Sequence, residues 1–208
     1  MGFRVPPDEF RALPLEAHAV LDGVPLRDVT AIDLPGGGPG RTVADLRALA
    51  PPGGLESANP TTRALFALRR ALGRLLGWDA ARHGRLASSY LARIPDTLQA
   101  RSSVPPGSME GPFRLLYMLE HESLTEAQNA TVHAFISTAL IPRLDGYRFY
   151  WGVYVKPISW LTPVYMAIIE PFRRFVVYPA IFRRLRAAWA ARYSEPQGST
   201  KAIVQRSP

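Results

Sequence analysis

Two hydrophobic periods divide the second half of this chain: from Phe113 apolar positions tend to alternate, and beyond Trp160 they recur every three or four residues. Alternation is the signature of a strand, and the longer period that of a helix. FRLLYMLEHE puts Phe113, Leu115, Tyr117, Leu119 and His121 on one side of a strand, and ESLTEAQN reads as a connection. NATVHAFISTALI follows as a second strand, with Val132, Ala134, Ile136 and Thr138 on one face and Thr131, His133, Phe135 and Ser137 on the other. Pro142 to Gly146 makes the turn, where Asp145-Gly146 is a hairpin signal, and Tyr147 to Lys156 is the third strand. Short links between consecutive strands predict an antiparallel meander.

The helical pattern then begins at Thr162-Pro163, an N-cap followed by proline at the first helical position. It runs to Tyr193, with Tyr165, Ile168, Phe172, Phe175, Pro179, Phe182 and Trp189 along one side. Pro171 and Pro179 each remove a backbone donor inside it and predict bends. Residues 194–208 read as a disordered tail.

Earlier elements are shorter. Residues 1–14, with Pro6, Pro7 and Pro14, read as an extended surface segment ahead of one domain spanning 15–193. Leu26 to Leu34 predicts a first strand with Val29, Ala31 and Asp33 on one face and Asp28, Thr30 and Ile32 on the other. The loop Gly36 to Arg41 lacks both the Lys-Ser/Thr of a P-loop and dinucleotide-site spacing, so it reads as a flexible strand-to-helix connection. Thr42 and Asp45 form a capping box for a helix through Ala48. A second helix follows Asn59-Pro60, with Leu65, Leu68, Leu72 and Leu75 as its buried stripe and Gly77 as its stop. SSYLARIPDTLQARSS is either a helix broken at Pro95 or a strand with a turn.

Composition narrows the chemistry. With 47% hydrophobic and 20% charged residues, the 208-residue chain falls among ordinary globular proteins. The absence of cysteine excludes disulfides, thiolate nucleophiles and cysteine-ligated metals. The net charge of +8 resides almost wholly in arginine, since Lys156 and Lys201 are the only lysines. No run interleaves aromatics with lysines as a nucleic-acid groove would, so no nucleic-acid partner is expected. MGFRVPPDEFRALP has no apolar core of signal-peptide length, and the uncharged run Pro157 to Ile169 falls short of the ~20 residues of a membrane span. A cytoplasmic location is therefore expected.

Strand, two helices, antiparallel strands and a long terminal helix, in that order, make an α+β chain. The order resembles the SRPBCC or START-like helix-grip superfamily. More narrowly, LRDVTAIDLPGGGPGRT, ALFALRRALGRLLGWD, FRLLYMLEHESLTEAQNATVHAF, YRFYWGVYVKPISWLTPVYMAIIEPFRR and YPAIFRRL resemble a bacterial SRPBCC-like family of unknown function, a domain also found fused to nucleotide-binding reductases. The resemblance implies a curved antiparallel sheet wrapped around the C-terminal helix over an apolar cavity. It implies no reaction, and it supplies no functional residues.

On that expectation Tyr117, Phe135, Tyr150, Tyr154, Tyr165 and Phe172, with Trp160 and Trp189, are candidates to line a cavity for a small apolar or amphipathic ligand. His121 and His133 with Glu120 and Glu122 could suggest a metal, but on a regular strand those carboxylates point away from His121, so no metal or cofactor is expected. Glu120 or Glu122 as a general acid, in a cyclase- or hydratase-like enzyme, needs an apolar pocket and a titratable partner. A third reading is a peripheral protein on an anionic membrane surface: residues 160–192 carry six arginines against Glu170, with tryptophans as interfacial anchors.

Overall fold

The computed structural model of the protein describes residues 2–49, 88–128, 132–158, 160 and 162–193. The elements in chain order are β1 (Phe3–Arg4), α1 (Pro7–Arg11), α2 (Glu16–Val20), β2 (Leu26–Pro35) and α3 (Val43–Ala48), then a 3-10 turn (Tyr90–Arg93) and α4 (Asp96–Arg101). They continue with β3 (Met109–Glu110), β4 (Phe113–Met118), β5 (Glu122–Gln128), β6 (Val132–Arg143), β7 (Gly146–Pro157), α5 (Thr162–Phe172), a π-helical segment (Arg173–Val177) and α6 (Tyr178–Tyr193). The helix expected after Asn59-Pro60 and the tail 194–208 lie outside the described residues.

Among the described residues the strands form one curved, wholly antiparallel seven-stranded sheet in the order β1-β2-β7-β6-β5-β4-β3. Its centre is the long hairpin β6–β7, turned at Leu144-Asp145 with Arg143 opposite Gly146. Gly146 adopts φ +140°, and a Cβ there would collide with the Leu34 carbonyl of the neighbouring strand. The position therefore demands glycine.

Both faces of this sheet are covered. Val29 and Ala31 of β2 pack with Phe10, Ala17, Leu21 and Tyr90, whereas Ile32 and Leu34 of the same strand pack with Val43, Tyr178, Phe182 and Trp189. One face thus lies under α1, α2 and the 90–101 segment (the N-terminal face), and the other under α3 and the terminal helix (the terminal-helix face). A strand buried on both sides has no reason to alternate cleanly.

Residues 1–14 are not an extended surface segment. Phe3 and Arg4 pair with Ala31 and Thr30 at the sheet edge, and Pro7 sits at the first position of α1. Phe10 is wholly buried against Gly152, whose missing side chain makes room for its ring. Burying such a ring contributes about 2 kcal/mol, enough to fix the segment on the sheet. At Pro95 the helix-breaking reading holds, with the 3-10 turn before it and α4 after it.

The expected bends in the terminal helix take the form of a π turn. Pro171 and Pro179 cannot donate, and each ring crowds the carbonyl four residues back. Between them the ladder widens, and the Tyr178 amide donates to the carbonyl of Arg173, five residues earlier. The extra residue shifts the phase of everything beyond it. The side facing the sheet is Met166, Ile169, Arg173, Tyr178, Phe182, Leu185 and Trp189, with its one five-residue step across the π turn. Phe172 and Phe175, expected on that side, are exposed instead.

The glycine-rich loop connects β2 to α3, as its composition predicts, and it is pinned. The Gly36 amide donates to the Asp145 carbonyl, the Gly37 amide to the Tyr193 carbonyl at 3.3 Å, and the Arg41 amide to the Tyr147 hydroxyl at 3.0 Å. Trp189 Nε1 donates to the Pro35 carbonyl at 3.0 Å, and a Cβ on Gly37 would strike the Trp189 ring. These amides bind protein acceptors on the β6–β7 hairpin and at the end of the terminal helix. Both hydrogen bonds of the Thr42–Asp45 capping box are present.

Candidate functional site

The cross-strand register assigns every side chain of the central strands to a face. Tyr117, Leu124, Ser137 and Gly152 form one row across β4, β5, β6 and β7, and Glu126, Phe135 and Tyr154 form the next. All of these belong to the N-terminal face. Of the expected cavity-lining set, Tyr117, Phe135, Tyr150 and Tyr154 are buried there with Phe10, Ala17 and Tyr90. They do not line a space under the terminal helix. The reason lies in strand parity: all four fall on the side away from Phe149, Val153 and Leu140, which the terminal helix covers. Phe172 is 41% exposed on the outer side of α5. Tyr165 lies in α5, and its side chain is outside the described residues. Trp189 belongs to the opposite cluster and Trp160 is exposed.

What the N-terminal face does gather is a set of buried polar groups within an apolar layer. Glu122, 5% exposed, opens β5 and receives the Glu16 backbone N–H on both carboxylate oxygens at 3.1 Å, capping the first residue of α2. Burial pushes its carboxyl up to about 7, against the pull of the Tyr117 hydroxyl, the Glu16 amide and Arg101. Tyr117 faces this carboxyl closely enough for its hydroxyl to be raised further by the Glu122 charge, after burial itself. Its oxygen nevertheless makes no hydrogen bond of ordinary geometry.

Next to it, His18 reaches down from α2. Its Nε2 lies 3.1 Å from the Phe10 carbonyl, which can only accept, so Nε2 carries the proton and Nδ1 accepts from the Tyr154 hydroxyl at 3.0 Å. Burial lowers the His18 pKa, which favours that neutral tautomer. Burial likewise pushes Tyr154 up to about 12.

Four residues along β5 from Glu122, and on the same face, Glu126 has the opposite electrostatics. Burial would raise its pKa, but hydrogen bonds from His133, Ser89 and the Tyr90 amide outweigh burial and lower it. His133 Nε2 donates to Oε2 at 2.9 Å, the Tyr90 amide to the same oxygen at 2.9 Å, and Ser89 Oγ to Oε1. His133 is fully buried between the Tyr90 and Phe135 rings. His121, by contrast, is 43% exposed beside Glu120 at 3.7 Å, so the two histidines do not converge on one centre.

Among the described residues, three buried polar atoms of this face make no hydrogen bond of ordinary geometry: Tyr117 Oη, which lies beside the Glu122 carboxyl, Ser137 Oγ and His133 Nδ1. Natural proteins pair the large majority of such atoms. The terminal-helix face keeps its main polar network at its rim, where Arg173 and Tyr178 both bind Asp28, at 2.8 and 3.1 Å. Burial raises Asp28, opposed by Arg173 and Tyr178.

Sequence reasoning singled out Glu122 and His133 but missed Glu126, Ser137 and His18 as a group. The available signal was the period-two spacing of Glu122, Leu124, Glu126 and Gln128 just before a certain strand. A family model described as "Protein of unknown function (DUF2867)" matches residues 20–180. No curated protein and no solved structure matches the chain.

Proposed function

The chain belongs to this DUF2867 family of proteins of unknown function, and from that premise we propose that it binds a small, largely apolar molecule carrying a hydrogen-bonding group, held between the sheet and the N-terminal helices. The observation that carries this reading is the trio of buried atoms without an ordinary hydrogen bond, Tyr117 Oη, Ser137 Oγ and His133 Nδ1, on one face of β4 and β6. Apolar walls with a few convergent polar groups and a shifted carboxyl are what small-molecule sites offer. Tyr117 and Ser137 share a row and provide hydroxyls; Phe135 and Phe10 provide the apolar walls. The helix-grip likeness belongs to the same proposal. A curved antiparallel sheet carrying a long C-terminal helix supports it, with the ligand on the face that this helix leaves to α1 and α2.

Native mass spectrometry of freshly purified protein tests the reading. We expect a small-molecule adduct that Ser137→Ala and Tyr117→Phe weaken while the circular dichroism spectrum stays unchanged. If no adduct is found and Ser137→Ala simply raises the melting temperature, the trio is a packing defect and the reading fails.

A second reading, acid–base catalysis in the same place, draws on Glu122 alone: a carboxyl titrating near 7 can both give and take a proton at neutral pH. Its mark would be a turnover that Glu122→Gln abolishes while adduct formation persists.

A further inference from the structure

Helix α5 is apolar on both of its sides. Toward the sheet it buries Met166 and packs Ile169; toward solvent it turns Pro163, Ala167, Pro171 and Phe172. Trp160 just before it is 84% exposed, and Phe175 just after it is 72% exposed. Among the described positions from 160 to 175, the only exposed charge is Arg174, which lies over the Phe175 ring at 5.6 Å.

An ordinary surface helix carries charges on its outer side. Here Arg173 is turned inward onto Asp28 and Glu170 is half-buried, so the outer side is left bare. The π turn contributes directly, since its change of phase leaves Phe172 and Phe175 off the line that faces the sheet. Single exposed apolar residues are common, but several gathered on the outer side of one helix with exposed aromatics at either end mark an interaction surface.

The surroundings select the partner. From 160 to 193 the chain has six arginines and one acid, Glu170, and Arg174, Arg183, Arg184, Arg186 and Arg192 are all exposed. A second copy laid symmetrically on this strip would bring arginines toward arginines. Aromatic side chains flanked by arginine suit the headgroup boundary of an anionic bilayer. No helix among the described residues is long and apolar enough to cross a membrane, so the helix would lie on the surface.

We propose that the outer side of α5 docks the protein on anionic lipid bilayers, with Trp160, Phe172 and Phe175 entering the interface and Arg174 meeting lipid phosphates. This stands independently of the ligand site on the other side of the sheet.

The test is co-flotation of the full chain with vesicles of phosphatidylcholine alone or mixed with phosphatidylglycerol, at low and high salt. Wild type is expected to float with phosphatidylglycerol vesicles, less so in high salt. Phe172→Ser/Phe175→Ser is expected to lose roughly tenfold or more in partitioning, with an unchanged circular dichroism spectrum because both rings are exposed. Arg174→Glu is expected to weaken binding only to the anionic vesicles. Absence of flotation at low salt overturns the proposal, as does a double variant that floats as well as wild type. A wild-type dimer in light scattering that becomes monomeric in the double variant, with no vesicle binding by either, assigns the strip to a second copy and also overturns it.

Discussion

The two faces of the sheet solve the problem of burial differently. Under the terminal helix, Ile32, Leu34, Phe149, Phe182 and Trp189 form an aromatic and aliphatic layer in which the buried polar groups Ser123 and Thr125 are uncharged, and the carboxylate Asp28 lies at the rim. Under α1 and α2, Glu122, Glu126, His133 and Ser137 are drawn in among Phe10, Phe135 and Leu124. An apolar layer needs only shape and area to be stable. A layer with buried carboxylates also needs partners for every charge, and its stability becomes a function of pH. The N-terminal face concentrates the buried carboxylates, and the terminal-helix face keeps Asp28 at its rim.

Three experiments can break that contrast or sharpen it. The largest effect is expected from Trp189→Ala, which removes a fully buried indole from contact with Tyr147 and Tyr193 and its bond to Pro35. Urea denaturation should show a loss of about 4 kcal/mol. The loss should be the same at pH 5 and pH 8, and a pH-dependent loss would mean the two faces are not separable.

The next effect concerns the two carboxylates. Glu122 is raised in the fold from 4.5 to about 7, so its favourable contribution is complete below the unfolded value and fades as pH rises through that window. The decline should reach on the order of 3 kcal/mol by pH 8. Glu126 is lowered, so its contribution is present above the unfolded value and is lost as pH falls below it. Denaturation across pH should show an alkaline limb set by Glu122 and an acid limb to which Glu126 contributes. Glu122→Gln should flatten the alkaline limb and Glu126→Gln the acid limb. A variant Glu122→Gln with the same alkaline decline as wild type would remove Glu122 from the account.

The smallest effect is at α3, where Thr42→Ala removes half of the capping box and should cost about 1 kcal/mol in the same denaturation assay.

The contrast also explains what could be read from the chain beforehand. β2 and β6 were legible with their face assignments, and β7 as a strand, because β-branched and aromatic residues fill them, and the hairpin at Gly146 and the capping box at Thr42 are encoded locally. β5 was not. Glu122 and Glu126 point into the N-terminal face while Ser123 and Thr125 point to the other, so both sides of ESLTEAQ look polar and the stretch reads as a connection. β4 was misassigned for a different reason. A register shift between Leu115 and Tyr117 sends them to opposite faces, although two-residue spacing places them together. The stripe of the terminal helix failed at its π turn, because a fixed helical period cannot anticipate an inserted residue. These three misses lie where a buried charge or a backbone irregularity overrides the pattern, and two of them lie within or beside the candidate site.

The pairing of β2 with β7 has a consequence for how the chain reaches this form. Pro35 lies opposite Gly146, so more than half the sequence must be made before the first long strand finds its neighbour. The meander β4 to β7 joins partners close in sequence and can assemble first, whereas closing β2 onto β7 carries a large loop entropy. During synthesis, β2 would wait with the edge that β7 takes open, and with Ile32 and Leu34 not yet covered by the terminal helix. We expect the last step of folding to be the capture of this strand, and the waiting strand to be the point at which the nascent protein is most prone to aggregate.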